Sequence, residues 1–429
     1  MISASRPRNE KKRLAALARY NILDSAFEKD YDELALLASQ ICDTPVSLVS
    51  FVDHERQWFK AKVGMECREM PREIAFCAHT IHDEEIMEIP NTLEDERFHD
   101  NPLVSAQNGF RFYAGITLRT PDGYNLGTLC VLDQRPRALT EQQRFALRTL
   151  GKQVIKQMEL SLKIKEMEEA NAQLEKQRKR IMDSINYGQR IQQAMLPTQQ
   201  YIHTYLPNSF TLLMPKEVLS GDFYYCVKLE DNLFLAAVDC TGHGVPGAFM
   251  SAIGHELLNE IILQRNILEP AYILNELHER IVYALRQEEG DNRDGMEIVL
   301  CRINLQSHEL VFSGAGRPLY SVKEQQLETL EGYKHGVGGT FKVGRHRAYV
   351  QHKLSMEKDT SYYLLSDGLQ DQFGGIGSSK FGKKELRSLL VRTNQLPIRE
   401  QGRALEEVVR SWTGSQDQID DIMVLGFQL

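Results

Sequence analysis

Four aspartates in the C-terminal half of the chain share one local setting. Asp222 stands in SGDFYY, Asp239 in VDCTGHG, Asp367 in LLSDGLQDQFGG and Asp420 in QIDDIMVLG, with Asp421 beside it. Each lies by an apolar run and next to a small or turn-forming residue. Asp239 follows the strand-like run Leu233 to Val238, and Gly242 and Gly244 then turn the chain into a helix-like segment reaching Gly254. Asp before Gly is ordinary turn chemistry, because its carboxylate bonds to nearby backbone, and that reading stands for any one of the four. Four such acids flanking different strands point instead to a shared site. Oxygen-only, Asp-rich sites suit Mg²⁺ or Mn²⁺, whereas zinc favours His and Cys. Two such ions about 3.5–4 Å apart can share a water, lower its pKa and clamp a phosphoryl group for in-line attack. The chain holds no GxSxG, no GxxxxGK[ST] and no HExxH, so it advertises no serine nucleophile, P-loop or zincin helix.

Composition narrows the setting. A length of 429 residues suggests two or three domains. Lys and Arg total 51 against 59 Asp and Glu, a net charge of -8, which argues against nucleic acid as the main partner. No apolar run approaches the ~18–20 residues of a membrane span, and the N-terminus lacks the apolar core of a secretory signal. Seven scattered cysteines with no CxxC pair predict a reduced, cytoplasmic protein.

Residues 10–155 read as one mixed unit. Leu34, Leu37 and Ile41 fall at helical spacing between Tyr31 and Cys42. The runs Val46 to Asp53, Phe112 to Leu118 and Leu126 to Leu132 read as strands, the last two joined by a turn at Pro121 to Gly123. A polar, charged stretch from Asp83 to Gln107 separates them. Thr140 and Gln143 fit a capping box that opens a helix.

That helix is expected to run on to Met195 as a linker over 156–195, ended by Pro197. Leu160, Met167, Leu174, Ile181, Gly188 and Met195 fall on one heptad position, with Ile164, Asn171, Arg178, Ile185 and Gln192 on the other. This is a coiled-coil seam, and Asn171 is the kind of polar residue that sets register between two parallel strands. A lone, solvated connector helix is the alternative. Beyond it, residues 196–429 alternate strand-like runs with helical patterns, as in a layered α/β or α+β fold.

At this point a resemblance becomes visible. The stretches RIQQAMLP (190–197), PKEVLSGDFYY (215–225), VDCTGHGVPGAFMSAIG (238–254), GMEIVLCRIN (295–304), LVFSGAGRPLYSV (310–322), YLLSDGLQDQFGG (363–375), KFGKKEL (380–386) and QIDDIMVLGF (418–427) resemble the SpoIIE/RsbU-like branch of the PPM metal-dependent serine/threonine protein phosphatases. The resemblance implies two β-sheets packed together and flanked by helices. It implies two or more Mn²⁺ or Mg²⁺ ions, with Asp239 bridging them and the Cys240 carbonyl ligating one. Asp222, Asp367 and Asp420 would complete the cluster, with Asp421 as a neighbour. Water activated by the metals would attack the phosphorus of phosphoserine or phosphothreonine, with no phosphoenzyme. Lys216 could hold the phosphate, and His243 could donate a proton or simply brace its turn. Glu297 and Gly316 depart from the family, which usually carries Asp and Asn there.

The N-terminal unit resembles a GAF domain in RLAALARYNILDS (13–25), VSLVSFVDHERQWFKAKVG (46–64), EIAFCAHTI (73–81), RFHDNPLV (97–104), RFYAGITLRTPDGYNLGTLCVLD (111–133) and LTEQQRFALRTLGKQV (139–154). The resemblance implies an antiparallel sheet with helices on its faces. A small-molecule ligand is left open, since fold does not fix function. Trp58, Phe76, Cys77, His79, Phe112 and Tyr113 could line a pocket or form core. Cys77 and His79 are two apart, which on a strand puts both on one face.

The expected protein is therefore an α+β multidomain chain, with GAF sensor, coiled-coil linker and PPM-type output. It would dephosphorylate a small phosphoprotein, such as an anti-sigma factor antagonist, and pair as a homodimer through the linker helix. A non-catalytic scaffold that binds a partner through a phosphatase-like domain is the rival, and it would be expected to have lost one or more of the acids.

Overall fold

The structure is a computed structural model that describes residues 1–82, 85–339, 349–375 and 377–429. It falls into two compact units, Met1–Lys176 and Gln177–Leu429.

In the first unit, six strands form one antiparallel sheet. Their order across it is Glu69–Pro71, Arg56–Val63, Val46–Val52, Asn125–Asp133, Phe112–Arg119 and Ile86–Ile89. The strand pair around Pro121 to Gly123 forms as its sequence predicts, with Gly123 at φ 87°. Strand Ile86–Ile89 lies inside the stretch read only as polar and charged; alternating Met87 and Ile89 are buried there, too short a pattern to stand out. Asp83, at the start of that stretch, lies outside the described residues.

The two faces of this sheet carry separate cores. One packs the helices Glu10–Arg19 and Lys29–Cys42 with Leu147, Val154 and Met158. The other packs the short helix Phe76–Thr80 against Phe59, Tyr113 and Cys130. This division splits the proposed pocket residues. Trp58 and Phe112 belong to the first core, and Phe76, Cys77 and Tyr113 to the second. Cys77 and His79 sit on a helix, not a strand. Residues two apart on a helix diverge by about 200°, so Cys77 is buried while His79 turns outward, its Nε2 meeting the Ile2 carbonyl.

The helix opened by Thr140 spans Glu141–Met195. The Gln143 amide N–H donates to Thr140 Oγ1 and the Thr140 N–H to Gln143 Oε1, the two reciprocal bonds of a capping box. Leu147, Gly151, Val154 and Met158 form its buried stripe. Past them the stripe gives way to exposed Leu160, Ile164, Met167, Leu174 and Ile181.

The second unit is a sandwich. One sheet runs Gln351–Ser355, Glu309–Ala315, Gly295–Asn304, Asn232–Cys240, Phe223–Leu229. The other runs Gln326–Leu330, Leu319–Lys323, Ser361–Leu365, Ile422–Phe427, Ser209–Met214. The run Leu233 to Val238 explains itself here. Leu233, Leu235 and Ala237 point between the sheets, while Phe234, Ala236 and Val238 point to helices Gly244–Asn259 and Pro270–Ala284. A strand covered on both faces is apolar at every position, because successive side chains alternate sides. Helices Gly382–Thr393 and Ile398–Thr413 cover the second sheet. Among the described residues no helix is long and apolar enough to cross a membrane.

Candidate metal centre

The acids converge because they sit at strand ends of both sheets. Asp222 immediately precedes Phe223–Leu229, and Asp239 is the penultimate residue of Asn232–Cys240. Asp367 follows Ser361–Leu365 by two residues, and Asp420 and Asp421 lead into Ile422–Phe427. Glu297 joins them through register: on the neighbouring antiparallel strand it lies directly opposite Asp239, so both side chains leave the same face. Close backbone packing seals the junction. A Cβ on Gly368 would stand 2.0 Å from the Asp421 carbonyl oxygen, so only glycine lets the Asp367 turn approach.

Asp239, Glu297 and Asp367 each offer a carboxylate oxygen, all within 4.8 Å of one another. Arg317 lies among them. It pairs with Asp239, with Asp367 at 2.6 Å and with Glu297 at 2.8 Å. Burial pushes the Asp239 carboxyl up to about 7, opposed by the Arg317 charge and reinforced by Asp367. Burial also raises Glu297, again against Arg317.

Asp222 is 3% exposed, and burial, with the charges of Asp239, Asp421 and Asp420, drives its carboxyl well above the usual range. Its Oδ2 is buried with no hydrogen-bond partner among the described residues. A carboxylate oxygen left bare inside a protein is costly unless a cation meets it. Together with an oxygen-only donor set, this fits a hard divalent ion. Burial raises Asp420 as well, and its Oδ1 accepts the Asp421 amide.

Asp421 plays a different part. Its Oδ1 accepts the Lys216 amide at 2.7 Å and its Oδ2 the Gly221 amide at 2.6 Å. Both oxygens thus pin the loop that delivers Asp222. The Cys240 carbonyl faces the same loop, 3.5 Å from where a Cβ on Gly221 would be. Its thiol is buried, and burial pushes it well above the ordinary thiol range. Gln192, near the end of the long helix, clasps the loop from the other side: its Nε2 donates to the Ser220 carbonyl and Ser251 Oγ, and its Oε1 accepts the Ser220 amide.

Lys216 and His243 meet at the exposed rim. Lys216 Nζ lies 2.8 Å from His243 Nε2, and His243 Nδ1 lies 2.7 Å from Glu217 Oε1. An ammonium can only donate, so this geometry assigns Nε2 as acceptor and Nδ1–H as donor to Glu217.

Three comparisons bear on this architecture. The family model of stage II sporulation protein E (SpoIIE) matches residues 230–429, and the GAF domain model matches residues 23–158. The chain joins a GAF domain to a SpoIIE-type phosphatase domain. The SiaA-PP2C domain of Pseudomonas aeruginosa superposes with a TM-score of 0.54 at 29% identity, covering 59% of this chain and 98% of that one. Phosphoserine phosphatase RsbU of Bacillus subtilis is 25% identical over 195 residues, 44% of this chain and 54% of the relative. Cyclic di-GMP phosphodiesterase PA2567 of Pseudomonas aeruginosa is 37% identical over 141 residues, 33% of this chain and 24% of the relative. Both matches cover less than two thirds of those relatives' own lengths.

The second unit brings Asp222, Asp239, Asp367, Asp420 and Asp421 to strand ends of its sandwich, with Lys216 and His243 at the rim. Sequence reasoning noted Glu297 only as a departure, and it passed over Arg317 and Glu217. A basic residue directly after a strand-end glycine, in SGAGRP, was the available signal for Arg317.

The two departures also explain each other. Gly316 has φ 82°, and a Cβ there would stand 2.6 Å from Glu297 Cδ. The longer acid occupies the space that a side chain at 316 would need.

Proposed function

We propose that the SpoIIE-type domain is a metal-dependent serine/threonine protein phosphatase, governed by the GAF domain through the helix Glu141–Met195. The observation that carries this reading is the cluster of Asp239, Glu297 and Asp367 within 4.8 Å of one another, with Asp222 feeling the charge of Asp239 and keeping a buried oxygen without a partner among the described residues. Asp239, Asp367 and Asp420 would hold Mn²⁺ or Mg²⁺, with Asp222 and the Cys240 carbonyl completing the donor set. Two bound ions supply a water of lowered pKa and neutralise charge on the phosphoryl group. Asp421 is assigned to positioning, since it fixes the backbone of the Asp222 loop. Lys216 would bind a phosphate oxygen; once it leaves His243 for the phosphate, the Nε2 of a protonated His243, its Nδ1–H held by Glu217, would be free to protonate the departing serine oxygen.

The substrate is read as a phosphoserine or phosphothreonine protein, of the small anti-sigma factor antagonist kind, in the cytoplasm. The exposed seam from Leu160 to Ile181 supports pairing with a second copy. Because Gln192 grips the Asp222 loop, a change in the helix would bias assembly of the acids, which is a coupling between two states. Mn²⁺-dependent hydrolysis of p-nitrophenyl phosphate by the full chain, with Asp239→Asn as control, tests the enzyme reading. Equal background rates for both proteins would sink it in favour of a scaffold.

A further inference from the structure

Arg317 leaves the strand Glu309–Ala315 just after Gly316 and turns inward. Its side chain is 9% exposed, and one nitrogen, Nη2, reaches Oδ2 of both Asp239 and Asp367. Nε faces Glu297 Oε2 as an ion pair without hydrogen-bond alignment. The guanidinium thus lies between the three carboxylates that crowd within 4.8 Å. Three acids so close cannot all ionise without a cation between them. Arg is suited to the place: its planar fork spans several carboxylates, and it cannot shed its proton to leave. One positive charge among three negative ones still leaves a deficit that a divalent ion answers better. Both Oδ2 atoms already meet one nitrogen, so a cation bridging them would have to displace it.

We propose that Arg317 is a built-in competitor for the metal centre, its guanidinium and a divalent cation taking turns on Asp239 and Asp367. The residue at 317 then sets how much Mn²⁺ or Mg²⁺ the site needs before it loads. Loading requires the arginine to swing out, so anything that holds the Gly316–Pro318 segment inward keeps the centre empty of metal. This rests on the phosphatase reading for the existence of the cation site.

The test is direct Mn²⁺ binding to the metal-free full chain, with free Mn²⁺ counted by electron paramagnetic resonance. Wild type is compared with Arg317→Gln and Arg317→Lys. An occupant that leaves the site competent one time in ten weakens apparent affinity about tenfold. Arg317→Gln is therefore expected to bind Mn²⁺ at least about tenfold more tightly, with Arg317→Lys in between. The Mn²⁺ concentration for half-maximal hydrolysis should fall in parallel. Circular dichroism checks the fold. Should the glutamine variant not fold, the lysine variant decides alone, because its single ammonium cannot also supply the second nitrogen that faces Glu297. Unchanged or weaker binding in the folded variants overturns the proposal while leaving the phosphatase reading intact, provided wild type binds Mn²⁺ and hydrolyses phosphate. No Mn²⁺ binding and no hydrolysis in any of the proteins overturns both.

Discussion

Asp239→Asn is expected to abolish Mn²⁺-dependent hydrolysis and, in the absence of metal, to stabilise the fold at alkaline pH. The magnitude follows from the site. Burial pushes the Asp239 carboxyl from 3.8 up to about 7 even with Arg317 beside it. Between those values the folded chain binds a proton that the unfolded chain does not, so stability falls as pH rises through about 4 to 7. At about 1.4 kcal/mol per pH unit, the span sets a ceiling of about 4 kcal/mol on the cost of ionising Asp239. Asn has the shape of the protonated acid and never pays that cost. The lost attraction to Arg317 is already counted, because the rise to about 7 is net of it, and Arg317 keeps Asp367 and Glu297 as partners. Realising half of the ceiling, about 2 kcal/mol, would raise Tm by about 4–8 °C in a unit of this size. Thermal melts of the full chain in chelator, from pH 4 to pH 8, provide the assay. The transition that Mn²⁺ shifts in wild type marks the phosphatase unit. The two proteins should melt together near pH 4 and separate in favour of Asp239→Asn by pH 8. A variant that is less stable at pH 8, or a difference independent of pH, would refute the electrostatic reasoning.

Other outcomes follow from particular contacts. Gly316→Asn places a Cβ 2.6 Å from Glu297 Cδ and should cost about 1–3 kcal/mol. Adding Glu297→Asp should return part of that loss, and simple additivity in a double-mutant cycle of melting would deny the coupling. Leu174→Asp should convert a dimer to a chain of 49.2 kDa by light scattering, and a monomeric wild type would remove the coiled coil altogether. His243→Ala should slow hydrolysis of a phosphoserine peptide by about 10²-fold but act little on p-nitrophenyl phosphate, whose leaving group needs no proton. Equal losses on the two would make His243 a brace for its turn.

Much of the fold was legible because its signals are local. The capping box at Thr140 and Gln143 depends on residues three apart, and it forms as written. The doubly apolar run before Asp239 announces a strand buried on both faces. Short edge elements were not legible: Ile86–Ile89 offers only two buried positions among polar neighbours. The helix that holds Cys77 and His79 was not legible either, because its five residues are too few for helical periodicity to show.

Sequence alone determined the residue types and their motifs: two domains, a helix without a breaker between them, and aspartates at strand ends suited to hard cations. Which atoms those aspartates meet was decided only by tertiary structure. Asp421 spends both oxygens on backbone amides from residues 216 and 221, a contact across some two hundred positions that no local pattern encodes. Glu297 enters the cluster through strand register. Arg317 enters because Gly316 turns the chain with positive φ, sending a long cation inward among acids that lie far from it in sequence. Electrostatics in a buried site depends on distance and burial, and both are properties of the packed sandwich rather than of the chain.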